Sequence, residues 1–151
     1  MLIRLTWDLP AETAHVALCR RTARMLLEHN HIHEEDIDGI ELIIGELCAN
    51  VIRHAYDMSG GRYSVEVSLD GMDLCLAVID NGRGFPSPET PEPRFSETGG
   101  MGLFLIGQFA DRFDFRMVEG GGSAVVANRT LRRRPGVHGH SHAVVDAEEA
   151  V

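Results

Sequence analysis

The chain is poor in basic residues and in cysteine, and it has no long uninterrupted apolar run. Lys and Arg number 14 against 23 Asp and Glu, a formal charge of −9 over 151 residues. So acidic a chain repels phosphate backbones and anionic lipid, which argues against general nucleic-acid binding while leaving room for a small basic site. The three cysteines, Cys19, Cys48 and Cys75, are odd in number, widely spaced and set among apolar neighbours. They are no disulfide framework and read as buried thiols of a reducing compartment. Met1 to Pro10 lacks the basic end and apolar core of a signal peptide. The longest nearly uncharged stretch, Leu42 to Ile52, still contains Glu46 and Asn50 and is too short to span a bilayer. These absences predict a cytoplasmic protein with no membrane association.

What is present suffices for one ordinary domain. With 44% apolar residues, the chain can build a core without metal or disulfide, and it is too apolar to be disordered. Leu2 to Asp8 alternates with period two and predicts a strand. Ala11 to Asn30 carries Val16, Cys19, Ala23, Leu26 and Leu27 on one helical stripe, with Arg20, Arg21 and Arg24 on or beside the other face. A second helix begins near Glu34, where Glu34, Glu35, Asp36 and Asp38 suit the positive end of the helix dipole. It runs to just before Ser59-Gly60-Gly61.

Arg62 to Leu69 alternates again, Asp70-Gly71 turns, and Leu74 to Ile79 returns as a nearly all-apolar, central strand. Asn81 to Gly100 holds Pro86, Pro88, Pro91 and Pro93; it is too long for a mere connector and reads as a lid. Gly102 to Ala110 predicts a short helix. Phe113 to Val118 and Ser123 to Thr130 predict a last hairpin. The expected class is α+β, a two-layer sandwich with helices on one face of a mixed, mostly antiparallel sheet. The expected domain is 1–131, followed by a flexible tail, 132–151.

Three features do not belong in a plain core. Glu46 and Asn50 interrupt an apolar run at a spacing of four, so they share a helix face that His54 extends. A buried carboxylate needs a partner, although a solvated polar stripe would look the same. Asp80-Asn81-Gly82-Arg83-Gly84 puts a carboxylate at a strand end before two glycines, which an ordinary Asn-Gly turn would also do. Gly99-Gly100-Met101-Gly102-Leu103 leads into a helix with unobstructed amides, as a phosphate cradle or a flexible linker would.

In combination and in this order, the three are far more specific. The chain resembles the Bergerat ATP-binding fold shared by gyrase, Hsp90 chaperones, histidine kinases and MutL. Within it, Glu46-Leu-Cys-Ala-Asn50-Val-Ile-Arg-His54-Ala-Tyr56 and Gly99-Gly100-Met101-Gly102-Leu103-Phe104-Leu105-Ile106 are similar to motifs of the bacterial anti-sigma-factor serine/threonine kinases. The resemblance covers about Leu2 to Leu131. Val51 stands where the family usually has Ala, and Ser123 where many members have Thr.

The resemblance implies an anti-sigma factor that phosphorylates an anti-anti-sigma protein with ATP and Mg²⁺ and sequesters a sigma factor. Asp80 would accept from the adenine amino group, supported by Ser123, with Gly82 and Gly84 letting the base approach. Gly100, Met101, Gly102 and Leu103 would offer amides to the phosphates. Asn50 would be the side-chain ligand of Mg²⁺, which takes few protein ligands. Glu46 would be the catalytic base, and His54 would reach a phosphate or pack structurally.

Family members are often dimers, here with Leu2 to Asp8 pairing across a two-fold axis. The Arg20, Arg21 and Arg24 face would suit an acidic partner, or would merely be solvated. The rival reading is an ATP/ADP-switched binding module without phosphoryl transfer. A histidine-kinase catalytic half ranks below both, because no phospho-acceptor hairpin precedes it. His138, His140 and His142 read as part of the tail rather than a metal grip. Arg132 to Arg134 reads as a strand end running into solvent.

Overall fold

A computed structural model describes residues 1–55, 60–82 and 101–136, leaving aside the side chains of His54, Ala55, Met101 and Leu103. The alternating segments become the strands β1 (Leu2–Pro10), β2 (Arg62–Asp70), β3 (Asp73–Asp80), β4 (Arg112–Met117) and β5 (Ser123–Thr130). The stripes of period 3.6 become α1 (Val16–His29), α2 (Glu34–Asn50) and α3 (Met101–Phe109). The sheet order is β1-β2-β3-β5-β4. Every strand pair among the described residues is antiparallel, so the sheet is not mixed. β4 and β5 form a hairpin that inserts β5 beside β3 running the opposite way. This is the α+β Bergerat fold that the motifs imply.

One face of the sheet is apolar. Val65 and Val67 of β2, Leu76 and Val78 of β3 and Val125 of β5 are buried with Leu27 of α1 and Ile40, Ile44 and Leu47 of α2. Cys19 and Cys48 lie in the same core, and burial pushes their thiols up to about 11 and about 12. Such groups are not nucleophiles at neutral pH.

The first helix starts later than its stripe predicts. Ala11 N–H still donates to the Gly61 carbonyl at 2.8 Å, which keeps the chain tied to the sheet. A single 3₁₀ turn, Thr13–His15, then leads into α1. α2 continues beyond Asn50 as a π-helical turn, Val51–Ala55.

Two expectations about arginines are corrected. Arg24 does not face a partner. It donates to Glu41 at 2.7 and 2.8 Å and to Glu28 at 3.2 Å, and it also bonds Glu34 and Asp38, tying α1 to α2. Nor does the segment after β5 run into solvent. Residues 132–134 lie antiparallel to the α1–α2 connection, with His33 N–H donating to the Arg132 carbonyl at 2.8 Å and Arg134 N–H to the His31 carbonyl at 2.7 Å. Arg132 reaches the buried Asp36, and Arg134 reaches Glu34. These partners lie about a hundred residues away in sequence, where no local pattern points to them.

Candidate active site

β3 is a central strand, so its last residue is held from both sides. Asp80 pairs in register with Tyr63 of β2 and Ser123 of β5. Its side chain is 0% exposed. The Ser123 hydroxyl donates to Oδ2, and the Gly82 N–H donates to Oδ1 at 3.0 Å. A carboxylate fixed by two donors keeps lone pairs for one more, and a strand end sets their direction. That chemistry fits an exocyclic amine.

Gly122, packed against Asp80, is a structural requirement. Gly122 has φ +91°, and a β-carbon there would stand 2.0 Å from the Asp80 carbonyl oxygen. The turn before β5 is therefore wedged against the end of β3. The Gly-Ser pair at 122–123 showed only the hydroxyl partner; the wedge became visible through the β3–β5 register.

A second cluster joins α2 and α3. Glu46 and Asn50 are one turn apart on α2, Glu46 half-buried and Asn50 6% exposed. Gly102 of α3 packs onto Glu46 so closely that a β-carbon at 102 would lie 2.5 Å from Glu46 Oε2. The base candidate and the first turn of the helix after the glycine run are thus in contact. A helix start in contact with Glu46, with the neutral amide of Asn50 one turn further along α2, supplies donor types that suit an anion accompanied by a divalent cation. These residues fit a nucleotide phosphate with Mg²⁺.

Glu46 also lines a groove of about 310 Å³, whose walls include Thr13, Val16, Arg20, Gly45 and Ile52. A β-carbon at Gly45 would lie 3.8 Å from Arg20 Cδ, so the arginine stem lies along the groove. Sequence reasoning placed Arg20 on a basic face but did not connect it with Glu46. The small residue next to an acid, Gly45-Glu46, was the available signal. Of the other expected site residues, Gly84 and Gly100 lie outside the described residues, as does the segment 83–100 linking the two clusters. So do the side chains of His54, Met101 and Leu103. The tail histidines lie outside as well. No group of three His, Cys, Asp or Glu suited to a metal occurs among the described residues, and no helix among them is long and apolar enough to cross a membrane.

Comparison with known proteins identifies the family and the fold. A histidine kinase-like ATPase domain profile matches residues 9–128. The chain is 24% identical over 140 residues to the serine-protein kinase RsbW of Bacillus cereus strain AH187, covering 86% of each protein. The Bacillus anthracis serine-protein kinase RsbW matches to the same extent. Among solved structures, the RsbU and RsbW domains of a Mycobacterium tuberculosis protein superpose with a TM-score of 0.64 at 23% identity. That match takes in 87% of this chain and 34% of the other, so the chain spans about a third of that structure. The histidine kinase domain of a blue-light-activated kinase from Erythrobacter litoralis gives 0.50 at 21% identity, over 82% of this chain and 62% of that one. At these identities the structures establish a shared fold.

Proposed function

The chain belongs to the histidine kinase-like ATPase domain family, among relatives of the anti-sigma-factor kinase type, and from that premise we propose that it transfers the γ-phosphate of ATP to a serine or threonine of a partner protein. The observation that carries this reading is the position of Glu46, which meets the first turn of α3 and also lines an open groove. A phosphate at the helix start and a hydroxyl in the groove would meet at this carboxylate.

The roles follow from the chemistry of each side chain. Asp80, held by Ser123 and Gly82, selects adenine, because guanine presents a carbonyl where adenine presents an amine. Gly84 lets the base approach. Gly100, Met101, Gly102 and Leu103 offer backbone amides to the phosphates. Asn50 offers its amide oxygen to Mg²⁺, and His54 lies one turn further on. When bound, Mg²⁺ would offset the phosphate charge. Glu46 orients the acceptor hydroxyl and takes its proton as the new O–P bond forms and the β–γ bridging O–P bond breaks, releasing ADP. Phosphoryl transfer is mostly positioning and charge neutralisation, so one base and this cradle are sufficient.

The proposed partners are a sigma factor, which the protein sequesters, and an anti-anti-sigma protein, which it phosphorylates in the cytoplasm. Arg20 in the groove supports an acidic acceptor surface. The protein is proposed to be a homodimer; β1, an edge strand, supports pairing between copies. A pure ATP/ADP switch would have no use for a carboxylate at Glu46.

Incubation with labelled ATP, Mg²⁺ and each anti-anti-sigma protein encoded nearby tests the proposal. Label on a serine or threonine of one of them is the expected result. ATP binding with no label on any partner would leave the switch as the reading.

A further inference from the structure

The two ends of α3 are both seated on α2 through a glycine, and the seat at the far end is held by a residue of β5. At the near end Gly102 meets Glu46. At the far end, the Phe109 ring lies over Gly39, where a β-carbon would stand 2.1 Å from ring Cε2. Positions 102 to 109 and 46 to 39 each span seven residues, so α3 runs antiparallel to α2 over roughly 10 Å. Gly39 and Glu46 therefore lie on one stripe of α2 with Asp36.

Arg129 closes this arrangement. Its guanidinium lies 4.0 Å over the Phe109 ring centroid. Nη1 donates to the Phe109 carbonyl, one of the carbonyls that a helix end leaves without an intrahelical partner. Nη2 donates to Asp36 Oδ1 at 3.0 Å. A cation stacked on the last ring of a helix and bonded to its last carbonyl also suits the negative end of the helix dipole. The same helix presents its opposite end to the proposed phosphate.

We propose that Arg129 is a positioning residue for phosphate binding: by fastening the C-terminal end of α3 through Phe109 to Asp36 of α2, it sets how closely Gly102 sits on Glu46. Arg129 itself touches neither nucleotide nor acceptor. The inference rests on α3 being the phosphate-binding helix. It assigns to the Asp36–Arg129–Phe109 cluster a function beyond holding the fold. Because Arg132 also bonds Asp36, removing the Arg129 side chain leaves that buried carboxylate paired and the fold supported.

The test compares ligands that differ only in phosphate. Arg129→Ala, Arg129→Lys and Gly39→Ala are titrated calorimetrically with adenosine, ADP and Mg²⁺-ATP, well below each melting temperature. Arg129→Ala is expected to weaken ATP and ADP by about 3- to 30-fold, the range carried by packed relays between sites. Adenosine, held at the β3 end, is expected to keep its affinity.

Arg129→Lys keeps the cation but not the stacked fork, so it should recover part of the loss. Gly39→Ala displaces the same ring from the α2 side and should reproduce the phosphate-selective loss even if Arg129→Ala fails to fold. Equal affinities of folded Arg129→Lys and Gly39→Ala with wild type for all three ligands would overturn the proposal, whatever their melting temperatures. A parallel loss for adenosine and ATP would overturn it too, since that is general loosening. Failure of the wild type to bind any adenine nucleotide would instead overturn the nucleotide-site reading itself, and the positioning role with it.

Discussion

Gly102 of α3 and Glu46 of α2 are packed so that a side chain at 102 fits only if Glu46 moves: a β-carbon there would lie 2.5 Å from Oε2 and 3.2 Å from Cβ of Glu46. Glycine at this helix start therefore serves two ends. It leaves the amide open to a phosphate, and it lets the helix approach the carboxylate. Gly102→Ala separates these effects from stability. Oε2 is the free end of a flexible chain and swings aside, the 3.2 Å contact with Glu46 Cβ needs a shift of only a few tenths of an ångström, and alanine loses less backbone freedom on folding than glycine. The expected outcome is a melting temperature within a few degrees of wild type. Phosphoryl transfer falls by about 10²-fold, the cost of a displacement on the scale of an ångström. Single-turnover transfer and thermal unfolding of the same preparation check it.

Asp80→Asn tests the adenine end. The carboxylate accepts from Ser123 on one oxygen and from the Gly82 N–H on the other. An asparagine keeps one acceptor and turns an amide donor toward the other partner; the Ser123 hydroxyl can reverse its bond to accept from it. The fold should persist. The adenine amine then faces a weaker, neutral acceptor or a donor. Loss of a charged acceptor should cost about 1.5–3 kcal/mol of ADP binding. Calorimetry with ADP measures it, and unchanged affinity would remove Asp80 from the site.

Asp36 predicts how the fold responds to acid. Burial alone would raise its carboxyl. Hydrogen bonds from the Arg132 side chain and backbone, and the charges of Arg129 and Arg132, outweigh this and hold it below the usual carboxylate range. A depressed native value contributes stability that is complete above the unfolded value, about 4. That contribution is lost as pH falls through it toward the native one. Asp36→Asn should therefore cost about 1.5–3 kcal/mol at pH 7, the worth of hydrogen bonds to a buried carboxylate whose arginine partners stay partly exposed. It should also flatten the decline of stability below about pH 4. Urea unfolding of both proteins across that range gives the two slopes, and equal slopes would show that Asp36 does not drive the acid transition.

Much of the fold is legible as local periodicity. β5 begins and ends at the residues its alternation predicts, Ser123 and Thr130, and the acidic cluster at Glu34 to Asp36 marks the start of α2. Asp80 was visible because a strand end, a carboxylate and two glycines are consecutive in sequence. What was not legible depends on residues far apart. Arg132 looked like the start of a tail because its partner, Asp36, is 96 positions away. Arg24 looked like a partner-facing charge because the α2 carboxylates that neutralise it lie across a helix pair. Gly39 gave no signal at all: in a helix of period 3.6 it is one weak position, and only the Phe109 ring gives it a reason to be glycine.

Glu46→Gln separates a kinase from a nucleotide-switched binder. The substitution keeps the side-chain shape, so it should keep the packing against Gly102 and the wall of the groove with Arg20. It removes the charge and the basicity. If Glu46 takes the proton of the acceptor hydroxyl, ATP binding and partner binding should survive while transfer falls by roughly 10²–10⁴-fold. The partner would then be held without release through phosphorylation. If the protein is only a switch, the wild type shows no transfer to any partner and the substitution changes little. If Glu46 is only a packing residue, the isosteric variant keeps both its melting temperature without nucleotide and the wild-type rate of transfer. The measurement is a pair, apo thermal unfolding and single-turnover transfer to a purified anti-anti-sigma protein. Normal transfer by the glutamine variant would end the assignment of Glu46 as the base, even with every ATP contact intact, because the half-buried carboxylate against Gly102 would then be holding two helices together and nothing more.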